Sequence, residues 1–369
     1  MTKRVASSIV LLTVALAGCS DPREDCMRSP NPERKIEACS ELIARDKASV
    51  PALGNRGIAY LDKGDFDRAI DDLTRVIFLT PNDSNAFSAR GYAHLRKGQT
   101  DYAIADLTRA ASLNPKDFQA FQARGAAHER KGEHDRAIAD YTEAIRLNPT
   151  FARAFANRGA TYASKGEPER AIADFTEAIR LEPGYALAFF NRGTIYARTG
   201  RHEAALADLT EAIRLNPRDA DALSERGGAH AARGDYASAF TDYNEAIKLH
   251  PGHPLAIANR GLAYLRTGDR EGAIADLTEA IRLNPKPLGG FLGRAEAYLA
   301  DGRAELALTD IEQALQLGPG HGPSLDMRGR IFEALGRRED AIADFRRALS
   351  AKPPFPLSRE GLARLGADP

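Results

Sequence analysis

Prolines, glycines and alanines recur along this chain with one fixed period of 34 residues. The prolines stand at positions 81, 115, 149, 183, 217, 251, 285, 319 and 353. Nine units of this length cover residues 50–355 without an insertion or a deletion. A repeat of this size predicts a solenoid of stacked units. It replaces the two or three globular domains that a length of 369 residues would otherwise suggest.

Each unit carries the sequence pattern of two helices. In the unit at residues 152–185, apolar side chains recur at helical spacing on both sides of Gly166. Gly166 is predicted to form the turn, because glycine adopts a positive φ without steric cost. Pro183 is predicted to end the second helix, because it lacks a backbone N–H and clashes with the preceding turn. The sequence therefore predicts an all-α fold.

The unit resembles the tetratricopeptide repeat (TPR), a family of 34-residue helix–turn–helix motifs. The residues that carry the resemblance recur in the other units, and in this one they are Phe155, Gly159, Tyr162, Ala171, Phe175, Ala178 and Pro183. The resemblance implies a right-handed superhelical α-solenoid of nine TPR units that serves as a protein-interaction scaffold. In this family the first helix of each unit, here called helix A, lines the concave side.

The two ends of the stack and one internal unit depart from the repeat. Residues 33–49 lie one period before the second helix of unit one and are predicted to form a helical half-repeat that caps the stack. Residues 356–369 are predicted to form a C-terminal cap or tail, with Leu357, Leu362 and Leu365 facing inward. In unit eight, glycines crowd the start of helix A, which is therefore predicted to start late or to be the most mobile.

The first residues of the chain are typical of an export signal. Residues 1–18 combine two positive residues with an uncharged run of 13, too short for a settled transmembrane helix. The Leu-Ala-Gly-Cys sequence ending at Cys19 resembles the lipobox of bacterial lipoproteins, which implies cleavage before Cys19 and a lipid on its thiol. An ordinary signal peptide followed by an incidental cysteine is the alternative. The resemblance to lipoproteins also implies, from the serine at position 20, a location on the periplasmic face of the outer membrane. Residues 19–32 are predicted to form a tether.

Two further cysteines, Cys26 and Cys39, lie just after this signal. An exported chain meets an oxidising setting, in which disulfides form and persist. A metal or redox pair would favour Cys-x-x-Cys spacing or a nearby histidine, and neither is present. We therefore predict a disulfide between Cys26 and Cys39.

Every unit has an arginine before the signature glycine and an aspartate sixteen residues later, as in Arg158–Asp174 and Arg192–Asp208. These pairs could form a charged array that binds a ligand. The equal numbers in fixed register favour a structural Arg–Asp ladder between the two helices, because the planar guanidinium fork suits a carboxylate. We expect each arginine to reach an aspartate of its own or an adjacent unit.

Candidate binding residues come from the positions of helix A that face the concave side in TPR proteins. One position, two residues before the signature glycine, holds asparagine in four units: Asn55, Asn157, Asn191 and Asn259. It resembles the asparagine array by which some TPR proteins hold a peptide backbone, since an amide both donates and accepts. Arginines give the middle units a mild positive excess, at Arg96, Arg130, Arg153, Arg198 and Arg266. The expected partner is therefore an extended peptide or protein tail of acidic character.

Composition and motifs argue against other function classes. Lys+Arg and Asp+Glu both total 51, so the chain lacks the basic excess of a charge-driven nucleic-acid binder. No phosphate-binding loop, dinucleotide fingerprint or H-E-x-x-H motif occurs, so no enzyme activity, cofactor, metal or small-molecule substrate is expected. His250 and His253 lie in an inter-unit loop that is predicted to bind no metal. The alternatives kept are a helical-repeat RNA-binding protein and a non-catalytic subunit of an envelope enzyme complex.

Overall fold

The computed structural model describes residues 21–284 and 288–368. Within these ranges the chain forms 21 α-helices and no β-strand, so the predicted all-α fold is confirmed. The signal at residues 1–18, the acylation site Cys19 and Ser20 lie outside the described residues.

Each unit consists of helix A and a second helix, here called helix B, and the two alternate along the chain with the 34-residue period of the sequence. The A helices are α3 (Val50–Asp62), α5 (Ser84–Arg96), α7 (Phe118–Arg130), α9 (Ala152–Ser164), α11 (Ala186–Arg198), α13 (Ala220–Ala232), α15 (Pro254–Thr267), α17 (Leu288–Ala300) and α19 (Gly322–Ala334). The B helices are α4 (Phe66–Leu79), α6 (Thr100–Leu113), α8 (His134–Leu147), α10 (Pro168–Leu181), α12 (His202–Leu215), α14 (Tyr236–Leu249), α16 (Arg270–Leu283), α18 (Ala304–Leu317) and α20 (Arg338–Leu349). Flanking helices are α1 (Pro22–Arg28), α2 (Pro32–Arg45) and α21 (Ser358–Arg364).

The chain divides into two compact bodies, Met1–Arg170 and Ala171–Pro369. In each body, helix A packs against the helix B that follows it, and the next unit packs against that pair. Each body is therefore a stack of helix pairs, as expected for an α-solenoid.

The signature glycine lets helices A and B approach closely. A Cβ on Gly125 of helix α7 would lie 2.8 Å from the Tyr141 ring of α8, and a Cβ on Gly91 would lie 2.7 Å from Leu107. Both Tyr141 and Leu107 are fully buried. The glycine therefore makes room for the large side chain that forms the centre of each helix pair. The turn between the helices needs a glycine for another reason, since Gly166 has a φ of 76°.

The N-terminal cap is larger than the sequence indicated. Part of the predicted tether at 19–32 is helix α1, so the tether prediction is wrong for Pro22–Arg28. Pro22 stands in the first turn of α1, where proline favours a helix start rather than breaking a helix. The predicted half-repeat helix is α2, and a disulfide joins Cys26 of α1 to Cys39 of α2 across a Cα–Cα distance of 4.7 Å.

The C-terminal cap is helix α21, which packs against α20 and α19. Leu362 is fully buried and Leu365 packs against the same cluster, which also contains Phe345. Leu357 is 58% exposed, so the prediction that it faces inward is wrong. It lies at the N-cap of α21, one residue before the helix begins, and so lies off the helix's buried face.

Unit eight keeps the register of the stack despite its glycines. Helix α17 begins at Leu288, 34 residues after α15 begins at Pro254, so the predicted late start is wrong. Gly293 serves packing here, since a Cβ on it would lie 2.7 Å from Leu262. The greater mobility of this helix stays a prediction.

Candidate functional site

The Arg–Asp ladder joins the two helices of a unit, and in most units the arginine also bonds to the helix that precedes them. Arg192 donates from Nε and Nη2 to the two carboxylate oxygens of Asp208 at 2.7 and 2.8 Å. Its remaining Nη1 donates to Thr176 Oγ1 of the preceding helix B at 2.8 Å. The same bidentate pairing joins Arg56–Asp72, Arg90–Asp106, Arg124–Asp140, Arg226–Asp242, Arg260–Asp276, Arg294–Asp310 and Arg328–Asp344.

These charges are engaged within the fold. In the pairs just named, the arginine side chains are 16–22% exposed and the aspartate side chains 4–14%. Hydrogen bonds to Asp208 raise the pKa of Arg192 above its usual value. In the fourth unit Arg158 donates to Thr142 Oγ1 at 3.0 Å, and Asp174 is buried. The paired charges of the ladder therefore have the geometry of a structural element.

His253 has a structural role that the sequence did not indicate. Its Nδ1 accepts a hydrogen bond from the Ala256 N–H at the start of α15, so the ring caps that helix. Its Nε2 lies 2.9 Å from the Asp221 carboxylate. Both ring nitrogens are thus occupied. Among residues 21–284 and 288–368 no group of three or more His, Cys, Asp or Glu side chains could hold a metal ion.

We call the exposed side of the A helices, which carries the candidate asparagines and arginines, the A face. In the body Met1–Arg170, Asn55 donates to its own helix at Pro51 O (2.9 Å) and lies 3.2 Å from the sulfur of Met27 in α1. Two of the candidate arginines also have partners on the protein. Arg96 donates to the Tyr92 hydroxyl at 2.8 Å, and Arg130 donates to the Leu95 carbonyl of the preceding unit at 2.7 Å. Candidates Arg153 and Asn157 of α9 are exposed and half-buried, respectively.

An apolar slot of about 220 Å³ opens on this A face between α3 and α5. Its walls include Leu73, Val76, Ile58 and Ala89, and Asn55 lies at its edge. Ile58 is 44% exposed although it is a large aliphatic residue. The slot therefore offers apolar surface beside a side-chain amide.

In the body Ala171–Pro369 the asparagine position is occupied by Asn191, Glu225 and Asn259 in successive units. Burial raises the pKa of the Glu225 carboxyl; Arg198 opposes the shift and Asp221 adds to it. Asn191 is half-buried and Arg198 is exposed.

A second pocket, of about 270 Å³, opens on this A face between α13 and α15. Small residues, two tyrosines and a leucine form most of its wall, with Asn259 and the candidate Arg266 completing it: Gly228, Ala231, Tyr236, Tyr243, Leu262 and Ala263. Arg266 Nη1 donates to Glu296 Oε1 of the next unit at 2.9 Å. The pocket thus combines apolar walls with one side-chain amide and an arginine whose charge is already balanced.

Comparison with known families agrees with this architecture. The tetratricopeptide repeat profile matches residues 54–118, 190–254 and 259–321, which together exceed half of the chain. Further TPR profiles match residues 130–166, 152–185 and 323–355. This chain belongs to the tetratricopeptide repeat family.

Solved structures show the same fold at low sequence identity. The APC/C hetero-tetramer Cut9–Hcn1 matches with a TM-score of 0.59 and 18% identity over 81% of this chain and 59% of that one. A TPR protein from Parabacteroides merdae matches at 0.54 and 21% identity, covering 64% of this chain and 93% of its own. PilF of Pseudomonas aeruginosa matches at 0.52 and 21% identity, covering 58% and 97%. No curated protein is significantly similar to this sequence.

The TPR protein spans only 59% of the length of the Cut9–Hcn1 chain that it matches. At these identities the likeness concerns the fold alone. No helix in the described ranges is both long and apolar enough to cross a bilayer.

Proposed function

We propose that this TPR protein is a non-enzymatic interaction scaffold of the cell envelope, held there by a lipid on Cys19. Extended peptide segments of partner proteins bind along the A face. The proposal rests on a difference between two sets of polar residues. The ladder arginines bond to aspartates of the same fold, whereas asparagines of the A face line open apolar slots.

An amide suits this task because it can both donate to and accept from any peptide group. Asn157 and Asn191 are half-buried on the A helices, where a peptide could reach them. Acidic character of the partner is supported by the exposed Arg153 and Arg198. Arg96, Arg130 and Arg266 add less to this preference, since each already donates to a partner within the protein.

Binding at the A face is tested by a triple variant, Asn157→Ala with Asn191→Ala and Arg198→Ala. Capture of partners from solubilised envelope extract should fall strongly, with an unchanged far-UV circular dichroism spectrum, because all three side chains lie outside the core. A matched triple variant changes residues of B-helix surface ion pairs instead: Glu177→Ala, Arg180→Ala and Arg214→Ala. Capture should survive in this control. Equal capture by both variants would assign binding to another surface.

The anchor is tested separately by Cys19→Ser. Several acyl chains anchor a protein stably, at about 0.8 kcal/mol per buried CH₂ group. Removing the acylation site should therefore move the protein from the membrane fraction to the soluble fraction. Unchanged fractionation would refute the lipid anchor but would not test binding at the A face.

A further inference from the structure

We propose that the pocket between α13 and α15 binds one aromatic side chain of the bound peptide, and so selects which segments the scaffold holds. The inference rests on the proposed function and adds a specificity site to it. We call this space the Gly228 pocket, defined by Gly228, Ala231, Tyr236, Tyr243, Asn259, Leu262, Ala263 and Arg266.

The pocket exists because unit six has no side chain at one A-face position. The other eight units carry a side chain in the register of Gly228, namely Ile58, Tyr92, Ala126, Ala160, Thr194, Leu262, Glu296 and Arg330. At Gly228 a Cβ would meet only the Tyr243 hydroxyl, at 4.0 Å, so the backbone does not require glycine there. The φ of Gly228 is not positive either. Neither packing nor conformation therefore requires glycine here, and the absence of a side chain leaves the pocket open.

The wall of the pocket suits a flat neutral ring. Tyr243 is 1% exposed, so its ring is packed within the fold and its hydroxyl is the part nearest to Gly228. Tyr236 also lines the pocket and is half-buried, so it is the aromatic residue that a bound ring can contact. Ala231, Leu262 and Ala263 complete the apolar wall. Aromatic rings pack favourably edge-to-face or offset against one another, beyond the gain from burying their area.

The charge and the volume of the pocket agree with a neutral side chain as occupant. Arg266 lies on the wall but already pairs with Glu296 at 2.9 Å, so its charge is offset within the protein. Its guanidinium can still lie against an aromatic face. The volume of about 270 Å³ has room for one peptide side chain.

Asn259 sets the orientation of the peptide. It lines the pocket and belongs to the asparagine position of helix A. An amide at that point can pair with the backbone of the residue whose side chain enters the pocket. The pair of contacts therefore selects an aromatic residue within an extended segment.

The test uses the full chain in detergent micelles and a random library of short peptides displayed on phage. The recovered peptides should share an aromatic residue. In the peptide that binds best, replacing this residue by alanine should weaken binding at least tenfold by isothermal titration calorimetry, as for an anchor residue. Gly228→Leu places a leucine at this position, as unit seven has with Leu262, and should fill the pocket. Gly228→Ala is a milder version that the open space accepts.

Three results decide the proposal. With Gly228→Leu, binding should fall at least tenfold, and the aromatic peptide and its alanine version should bind equally. Gly289→Leu is the matched control, because Gly289 is on another A helix with open space around it, and it should bind like the wild type. If peptides bind but Gly228→Leu changes neither affinity nor preference, the pocket is refuted and the proposed function stands. If no peptide binds, both are refuted.

Discussion

Removing one arginine of the ladder should cost far more than removing an arginine from a surface ion pair of the same geometry. Arg192 bonds Asp208 at 2.7 and 2.8 Å, and Arg214 bonds Glu211 at 2.8 and 2.6 Å. The pairs differ in burial: the side chains are 16% and 9% exposed in the ladder, against 66% and 33% on the surface. The ladder pair is thus much more buried than the surface pair.

The expected magnitudes follow from that difference. Arg192→Ala leaves a buried carboxylate without its counter-charge, which costs about 3 kcal/mol, the lower end for buried pairs because the arginine is partly exposed. It also removes the bond to Thr176. Arg214→Ala should cost at most about 0.5 kcal/mol, as for exposed helix pairs. A double variant, Arg192→Met with Asp208→Leu, should recover most of the loss, since no charge is left buried.

The assay must be local, because a repeat protein need not unfold in one step. Amide hydrogen exchange in α11 and α12 should accelerate roughly 100-fold in Arg192→Ala, the equivalent of about 3 kcal/mol. In Arg214→Ala it should change by less than about threefold. If Arg192→Ala is no more costly than Arg214→Ala, or if the double variant is worse than either single change, the structural reading of the ladder is wrong.

Three further predictions concern packing, protonation and the N-terminal cap. Gly125→Ala should cost about 1–3 kcal/mol by amide hydrogen exchange in α7 and α8, because the new Cβ would lie 2.8 Å from the Tyr141 ring. Gly54→Ala, in open space, should instead stabilise α3 by about 0.5–1 kcal/mol in the same measurement. Burial raises the pKa of Glu225, so ionisation of this carboxyl opposes folding. Glu225→Gln should therefore raise stability at pH 7. The gain should vanish below the pKa of about 4.3 that glutamate has in the unfolded chain, which thermal melts across pH would show. Cys39→Ser opens a loop whose cross-link contributes about 3 kcal/mol in the chain-entropy model; α1 should then exchange its amides much faster, and unchanged protection would contradict this.

The fold could be predicted from sequence because its main contacts repeat. A glycine and a bulky residue sixteen positions later form the centre of each pair, as Gly91 and Leu107 do. The Arg–Asp pairing follows the same spacing, so its partner could be named from the sequence. The bond from Arg192 to Thr176 runs sixteen residues in the other direction and joins two units. Threonine recurs at this position in six of the units, so the sequence itself contains the pattern that predicts this bond.

Contacts that depend on side-chain reach could not be predicted. Arg130 reaches a carbonyl of the preceding unit, and Arg266 reaches Glu296 of the following one. The sequence places these arginines on the A face but does not show that they are engaged there. Helix α1 is not predicted for a different reason. Its proline is also typical of an irregular tether, although a proline in the first helical turn has no intrahelical bond to lose.

The Gly228 pocket shows where the repeat leaves freedom for function. Arg192 bonds Asp208 sixteen residues later and Thr176 sixteen residues earlier, so a residue inserted between the arginine and either partner would break one of these bonds. Such paired spacings favour units of constant length, and the nine units contain no insertion or deletion. The register of Gly228 takes part in no such bond, and it holds side chains as different as isoleucine, threonine and glutamate. Substitutions there should therefore change which peptide is bound well before they change the stability of the stack.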